Sequence, residues 1–122
     1  MTRSRCIGRS LAQAFVVTLG TVDVTLEREA DGRILVKIQA PAWEVNVRAS
    51  ADDLTKLNGI RSADWDHRRS VQVGESADAS AFWSCRGDEV TLMIGHDDET
   101  WDVAVIFPVA IVQTIVEELA PA

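Results

Sequence analysis

Apolar and polar residues alternate over most of this chain, and that period of two constrains the fold more than any other feature. Successive side chains of a β-strand point to opposite faces, so the alternation predicts strands with one buried face. In "WEVNVRA", Trp43, Val45 and Val47 are predicted to point inward. In "WDVAVIF", the predicted inward residues are Trp101, Val103, Val105 and Phe107. Similar stretches are "FVVTLGTVDVTLER", "ILVKIQ", "VQV", "AFWSCR" and "EVTLMI". The pattern predicts about seven strands.

Short turn signals separate these strands. Asp31-Gly32 and Gly87-Asp88 are residue pairs typical of two-residue hairpins, and "ESADAS" is predicted to be a loop. Hairpins join neighbouring antiparallel strands, so the sheet is expected to be mostly antiparallel.

Two helices are predicted outside the strands. Ser50 followed by Asp53 is an N-cap pattern, and Asn58-Gly59 is predicted to end this short middle helix. Pro108 suits the first turn of a second helix, whose apolar residues recur at helical spacing. Those residues are Val112, Ile115, Val116 and Leu119. The expected fold class is α+β, with the C-terminal helix packed on the sheet.

The 122 residues and the 47% hydrophobic content fit a single domain. We expect a basic N-terminal segment over residues 1–14 and one α+β domain over residues 15–122. The chain has two cysteines and no CxxC motif, and residues 1–14 lack the continuous apolar core of a signal peptide. No apolar run is long enough to cross a membrane. These features predict a cytoplasmic protein with reduced thiols.

Charge is unevenly distributed. Residues 1–14 carry +3, which leaves −10 for the other 108 residues because the whole chain is −7. From Gly87 onward there are eight acids and no lysine or arginine. The acids are Asp88, Glu89, Asp97, Asp98, Glu99, Asp102, Glu117 and Glu118. Such a surface repels nucleic acid and anionic lipid and attracts a cationic protein face or a metal ion.

The stretch "GHDDETWDV", residues 95–103, is the densest part of this acidic run. A metal site needs ligands that converge on one point, whereas consecutive residues of a turn splay apart. A solvated turn that keeps the edge of the sheet soluble explains the stretch equally well. A docking surface for a basic protein is the third interpretation, and it assigns partner contacts to Asp97, Asp98, Glu99 and Asp102, with Asp88 and Glu89 nearby in the run.

Trp65 and Trp83 complete the predicted docking residues, because tryptophan is strongly enriched at interface hot spots. Trp65 lies in the polar connection "SADWDHRR", and Trp83 alternates with Phe82, so that one of the two must point away from the main core. The basic cluster His67-Arg68-Arg69 in the same connection is expected to pair with acids or to add contacts of opposite sign.

Catalytic motifs are not found in the sequence. It contains no G-x-S-x-G elbow and no glycine-rich phosphate loop. We therefore expect a non-enzymatic protein without cofactor or metal. A small metal-dependent hydrolase that uses His96, Asp97 or His67 stays open as an alternative, as does an assembly subunit that forms a homodimer or joins a larger complex.

In size, charge and layout, the chain resembles small acidic bacterial immunity proteins that neutralise toxins of interbacterial competition. Residues 87–122 carry most of the resemblance, and no family motif transfers position by position. The resemblance implies a cytosolic, non-enzymatic inhibitor whose acidic surface covers the basic active site of a toxin.

Overall fold

A computed structural model describes residues 22–119, which form one seven-stranded antiparallel sheet with two helices and short 3₁₀ segments. The strands are neighbours in chain order from β1 to β7. They are β1 Asp23–Arg28, β2 Ile34–Gln39, β3 Glu44–Ala49, β4 Val71–Ser76, β5 Ala79–Arg86, β6 Glu89–Gly95 and β7 Trp101–Pro108. The predicted α+β class is confirmed. The basic segment 1–14 and the first part of the first predicted strand, residues 15–21, lie outside the described residues.

The hairpin between β4 and β5 is tighter than its sequence predicts. Ser76 pairs with Ala79, so only Ala77 and Asp78 form the turn, with φ values of 51° and 68°. A two-residue turn with both residues in the left-handed region matches the right-handed twist of a hairpin. Because neither residue is glycine, the sequence "ESADAS" predicted a longer loop in place of this turn.

The middle helical region begins where it was predicted to begin but ends differently. The backbone N–H of Asp53 donates to Ser50 Oγ at 3.1 Å, which caps α1, Ala51–Leu54. Helical turns of the 3₁₀ type follow over Thr55–Ser62, with a kink at Gly59, whose φ of −98° and ψ of 23° are neither helical nor left-handed. The helix is therefore interrupted at the predicted position, but without the left-handed ending, and 3₁₀ turns resume as far as Ser62. Ile60 packs into the core as expected, at 4% exposure.

One face of the sheet and the helices enclose the core. Trp83 lies near its middle, fully buried, with its ring in an edge-to-face contact with Phe107 at 6.2 Å between centroids. The second helix, α2, Val109–Leu119, contributes Val112 and Ile115 to this cluster, while its polar residues face solvent as predicted.

The sheet is curled around α2. This helix follows β7 at one edge of the sheet, yet it also contacts β1 at the opposite edge. Eleven helical residues are about 16 Å long, whereas seven flat strands are about 29 Å wide. The two edges must therefore approach each other across the helix, with the core on the concave side.

A bulge in β7 changes which residues point inward. The pairing between β6 and β7 shifts between Ile94 and Gly95, so Trp101 lies opposite Gly95, and a Cβ at Gly95 would collide with the Trp101 Cα. Trp101 therefore shares the outer face with Gly95 and is not part of the core cluster. The prediction that Trp101 points inward is wrong, because the extra residue reverses the alternation at that end of the strand. Val103 lies opposite Ile94, in phase with the buried Val105 and Phe107, and is 39% exposed at the sheet edge.

Candidate functional site

The acidic turn between β6 and β7 is organised by one of its own carboxylates. Asp97 Oδ1 accepts the backbone N–H groups of Glu99 and Thr100 at 2.8 and 2.6 Å, together with the Thr100 hydroxyl at 2.8 Å. These hydrogen bonds, the one from Glu99 first, lower the pKa of Asp97. Asp97 therefore has a structural role as the residue that holds the turn.

The next two acids contact the connection that contains Trp65. Asp98 accepts a hydrogen bond from the Ser70 hydroxyl at 2.6 Å, and Glu99 pairs with Arg68 at 3.5 Å. The Arg68 guanidinium in turn lies 4.4 Å above the Trp65 ring. We call this group of Trp65, Arg68, Ser70, Asp98 and Glu99 the turn surface. The structure thus brings together three of the predicted docking residues, Trp65, Asp98 and Glu99.

Asp88 and Glu89 are not part of the turn surface. They lie at the other end of β6, which is seven residues or about 20 Å long. Asp88 pairs with Arg61 at 3.3 Å, and Arg61 also donates to the Gly87 carbonyl at 3.0 Å. The expectation of one acidic patch without nearby cations is wrong, because β6 separates its two parts and an arginine from earlier in the chain reaches each of them.

The two tryptophans chosen as docking residues have different environments. Trp65 is half-buried and stacked beneath Arg68, which leaves part of its ring accessible. Trp83 has no exposed surface, and its indole N–H donates to the Val73 carbonyl at 3.0 Å. Trp83 cannot contact a partner from this position, so that assignment is wrong. Phe82, its neighbour in the strand, is the residue that points to the outer face.

The histidines do not form the core of a metal site. His67 Nδ1 lies 2.9 Å from Asp64 Oδ2, and this hydrogen bond is the main cause that lowers the pKa of Asp64. His96 is exposed at the start of the acidic turn. Within residues 22–119, no three His, Cys, Asp or Glu side chains are grouped so that they could hold a metal ion.

Cys85 does not have the surroundings of a reactive nucleophile. It is 4% exposed and unpaired, and its Sγ lies 3.4 Å from the Gly87 carbonyl oxygen. Burial raises the pKa of the thiol, which lowers the fraction of the reactive thiolate. Cys6 lies outside the described residues.

A basic groove borders the turn surface. Lys56, Arg68 and Arg69 line an open depression of about 430 Å³ that also reaches Ser70 and Asp98. Lys56 is paired with Asp53 at 2.9 Å. The surface is therefore mixed in charge, with cations on one side of Asp98 and the exposed Asp102 farther along β7. Arg68 and Arg69 of the predicted basic cluster line this groove, whereas the contribution of Lys56 was not predicted.

No helix within residues 22–119 has the length and apolar character needed to cross a bilayer. Comparison with protein-family models, with curated proteins and with solved structures finds no match to this chain.

Proposed function

We propose that this chain is a non-enzymatic protein-binding domain of the inhibitor or immunity type, which covers a basic site on a partner protein such as a toxin domain. The observation that carries the proposal is the meeting of Trp65, Arg68 and Glu99 with Asp98 on one surface. Tryptophan and arginine are the residues most enriched at interface hot spots, and a carboxylate beside them supplies orientation.

Trp65 is the expected anchor. Its ring is already held by Arg68, so a partner that covers it loses little side-chain entropy on binding. Arg68 has its charge balanced by Glu99 at 3.5 Å, and a cationic partner residue can approach the same carboxylate from the solvent side because Glu99 is exposed. Burial of a pre-organised aromatic ring is typical of the centre of an interface.

Long-range attraction comes from the charge of the whole body. Residues 22–119 contain 19 acids and nine lysines or arginines, a balance of −10. Asp98 and Asp102 have no ion pair within the described residues, so their potential reaches solvent. A potential of this sign accelerates encounter with a basic surface and is weakened by salt.

The test takes any cationic protein domain that is found to be encoded beside the gene of this chain and follows its binding by stopped-flow and titration calorimetry. Replacing Asp98 and Glu99 by lysine is expected to slow association about tenfold at low salt. The matched control replaces Glu117 and Glu118 by lysine, with the same change in net charge on the exposed side of α2. Equal effects of the two double variants contradict docking at the turn surface.

Trp65→Ala tests the anchor separately. We expect a loss of about 2 kcal/mol, or about thirtyfold in Kd, mostly through faster dissociation. Trp65→Phe serves as the control because it keeps a ring beneath Arg68. Absence of any binding to the neighbouring domain, with every variant folded, would reject the proposed function itself.

Assembly with a second copy is a second candidate, favoured by the exposure of Val103 on the open β7 edge. The bulge before it and Pro108 at the end of the strand both hinder pairing with another strand. Light scattering over a range of concentrations decides this point: a dimer whose dissociation constant rises in Val103→Lys supports assembly, and a monomer at all concentrations rejects it.

A further inference from the structure

The face of the sheet opposite the core is apolar over β5, β6 and β7. Register places Phe82, Met93 and Ala104 side by side across the three strands, with Ile106 on the next row and Trp101 added by the bulge. We call these five residues the outer apolar face. On β2, β3 and β4 the same face is mostly polar, with Leu35 as an apolar exception. The outer residues there are Lys37, Gln39, Glu44, Asn46, Arg48 and Gln72.

The middle of the outer apolar face is buried although no described helix covers it, whereas Phe82, Trp101 and Ile106 are half-buried. Met93 is 2% exposed and Ala104 is 4% exposed, and Ser84 beside them is 1% exposed. Every buried residue of the helices belongs to the core cluster on the other face, and none of these three does. Neighbouring strands shield a side chain from the sides only, so such low exposure requires a layer above it.

The chain itself contains a segment suited to this layer. "LAQAFVVTL", residues 11–19, is the longest mostly apolar stretch outside residues 22–119, and its period of two gives Phe15, Val17 and Leu19 a common side. A segment with this composition is stabilised by contact with an apolar surface. We propose that residues 11–19 pack across the outer apolar face and form the second layer over β5, β6 and β7.

The connection is long enough for this placement. Phe15 precedes the start of β1 by eight positions, which span about 26 Å when extended. β6 lies five strands from β1, a distance of about 24 Å across a flat sheet. The curl that brings β1 towards β7 shortens the path further. A segment of the same molecule also has a higher effective concentration at this face than a second copy has.

Met93 provides a direct probe, because the only other methionine is Met1. Oxidation of Met93 by hydrogen peroxide is followed by peptide mass spectrometry in the full chain, with N-acetylmethionine added as a freely exposed reference. We expect Met93 to react at least tenfold more slowly than the reference, at a rate that does not depend on protein concentration. Loss of protection on dilution would mean that a second copy covers the face, and would overturn the proposal.

The variant Phe15→Asp/Val17→Asp places two charges on the side of the segment that is proposed to contact the sheet. We expect Met93 oxidation to accelerate at least tenfold. The control Ser4→Asp/Ser10→Asp adds the same charge outside the segment, and its rate should stay within twofold of the original. An unchanged rate in the first variant, with cooperative unfolding retained, refutes the proposal.

A second measurement decides the matter if the charged variant fails to fold. A nitroxide is attached to Thr18→Cys in a Cys6→Ser background, since position 18 alternates with the contacting residues and Cys85 is buried. We expect broadening of the amide signals of Met93 and Ala104, while Lys37 and Asn46 stay sharp. The reverse pattern, or uniform effects, contradicts packing on the outer apolar face.

Discussion

Replacement of Trp83 by phenylalanine measures the role that the structure assigns to this residue. Trp83 is fully buried, and its N–H donates to the Val73 carbonyl at 3.0 Å. Phenylalanine cannot donate this hydrogen bond, and an unpaired buried carbonyl costs about 1–2 kcal/mol. The smaller ring leaves a gap against Phe107 and its neighbours that costs about another 1–2 kcal/mol. We expect the free energy of unfolding to fall by about 3 kcal/mol.

Urea titration followed by far-ultraviolet circular dichroism provides the assay. With a slope of about 1.5 kcal/mol per M, the midpoint should fall by about 2 M. Trp65→Phe is the matched control, because Trp65 is half-buried at the surface and its replacement should change stability by less than about 0.5 kcal/mol. A loss below about 1 kcal/mol for Trp83→Phe would refute the reasoning, since it would mean that the indole is neither tightly packed nor hydrogen-bonded inside the core.

Three other substitutions test the turns and the bulge by urea titration. Gly95→Ala should lower the free energy of unfolding by about 2–3 kcal/mol, because the added Cβ meets backbone atoms of β7. Gly59→Ala is the control, since a Cβ there has open space and should leave the protein equally or slightly more stable. Equal effects of the two variants would contradict the close approach at the bulge. Ala77→Asn with Asp78→Gly should stabilise by about 1 kcal/mol, since it installs the residues preferred at these positive φ values, and a loss of stability would argue against the two-residue turn. Asp97→Ala should lower the urea midpoint at about pH 7. Because the folded-state pKa of Asp97 is lowered, its stabilisation is present above the ordinary value of 3.8 and is lost as the pH falls through the folded-state pKa. The stabilities of the two proteins should therefore converge as the pH falls below 3.8, and a difference that does not change with pH would contradict the role of the carboxylate.

The sheet was predictable because alternation and turn residues act locally. Val45 and Val47 are buried as their spacing indicates, and Ser50 caps the helix through its own side chain. The tight turn at Ala77-Asp78 was not predicted, because the strands on either side impose its positive φ values and neither residue is a glycine that would indicate them. Local sequence patterns therefore predict the strands and helices well, and turns without glycine less well.

The candidate site was only partly predictable, because it depends on which segments meet. The approach of Arg68 to Glu99 joins residues 31 positions apart, and nothing in either stretch specifies the other. The inward assignment of Trp101 failed for a related reason, since a bulge is a property of two paired strands. The sequence did not decide whether Trp83 or Phe82 points into the core, because these two neighbours are both apolar and lie on opposite faces of β5.

The separation of the acids into two groups predicts how a partner responds to salt. Asp98 and Asp88 lie near opposite ends of β6, about 20 Å apart. At 0.15 M salt the screening length is about 8 Å, so the two groups act independently, whereas at 0.01 M it is about 30 Å and their fields overlap. A basic partner docked at the turn surface should therefore associate more slowly with Asp88→Lys at 0.01 M salt, and should be almost indifferent to it at 0.15 M. Asp98→Lys should slow association at both concentrations. Equal sensitivity to Asp88→Lys at high salt would place the partner at the other end of β6, next to Arg61.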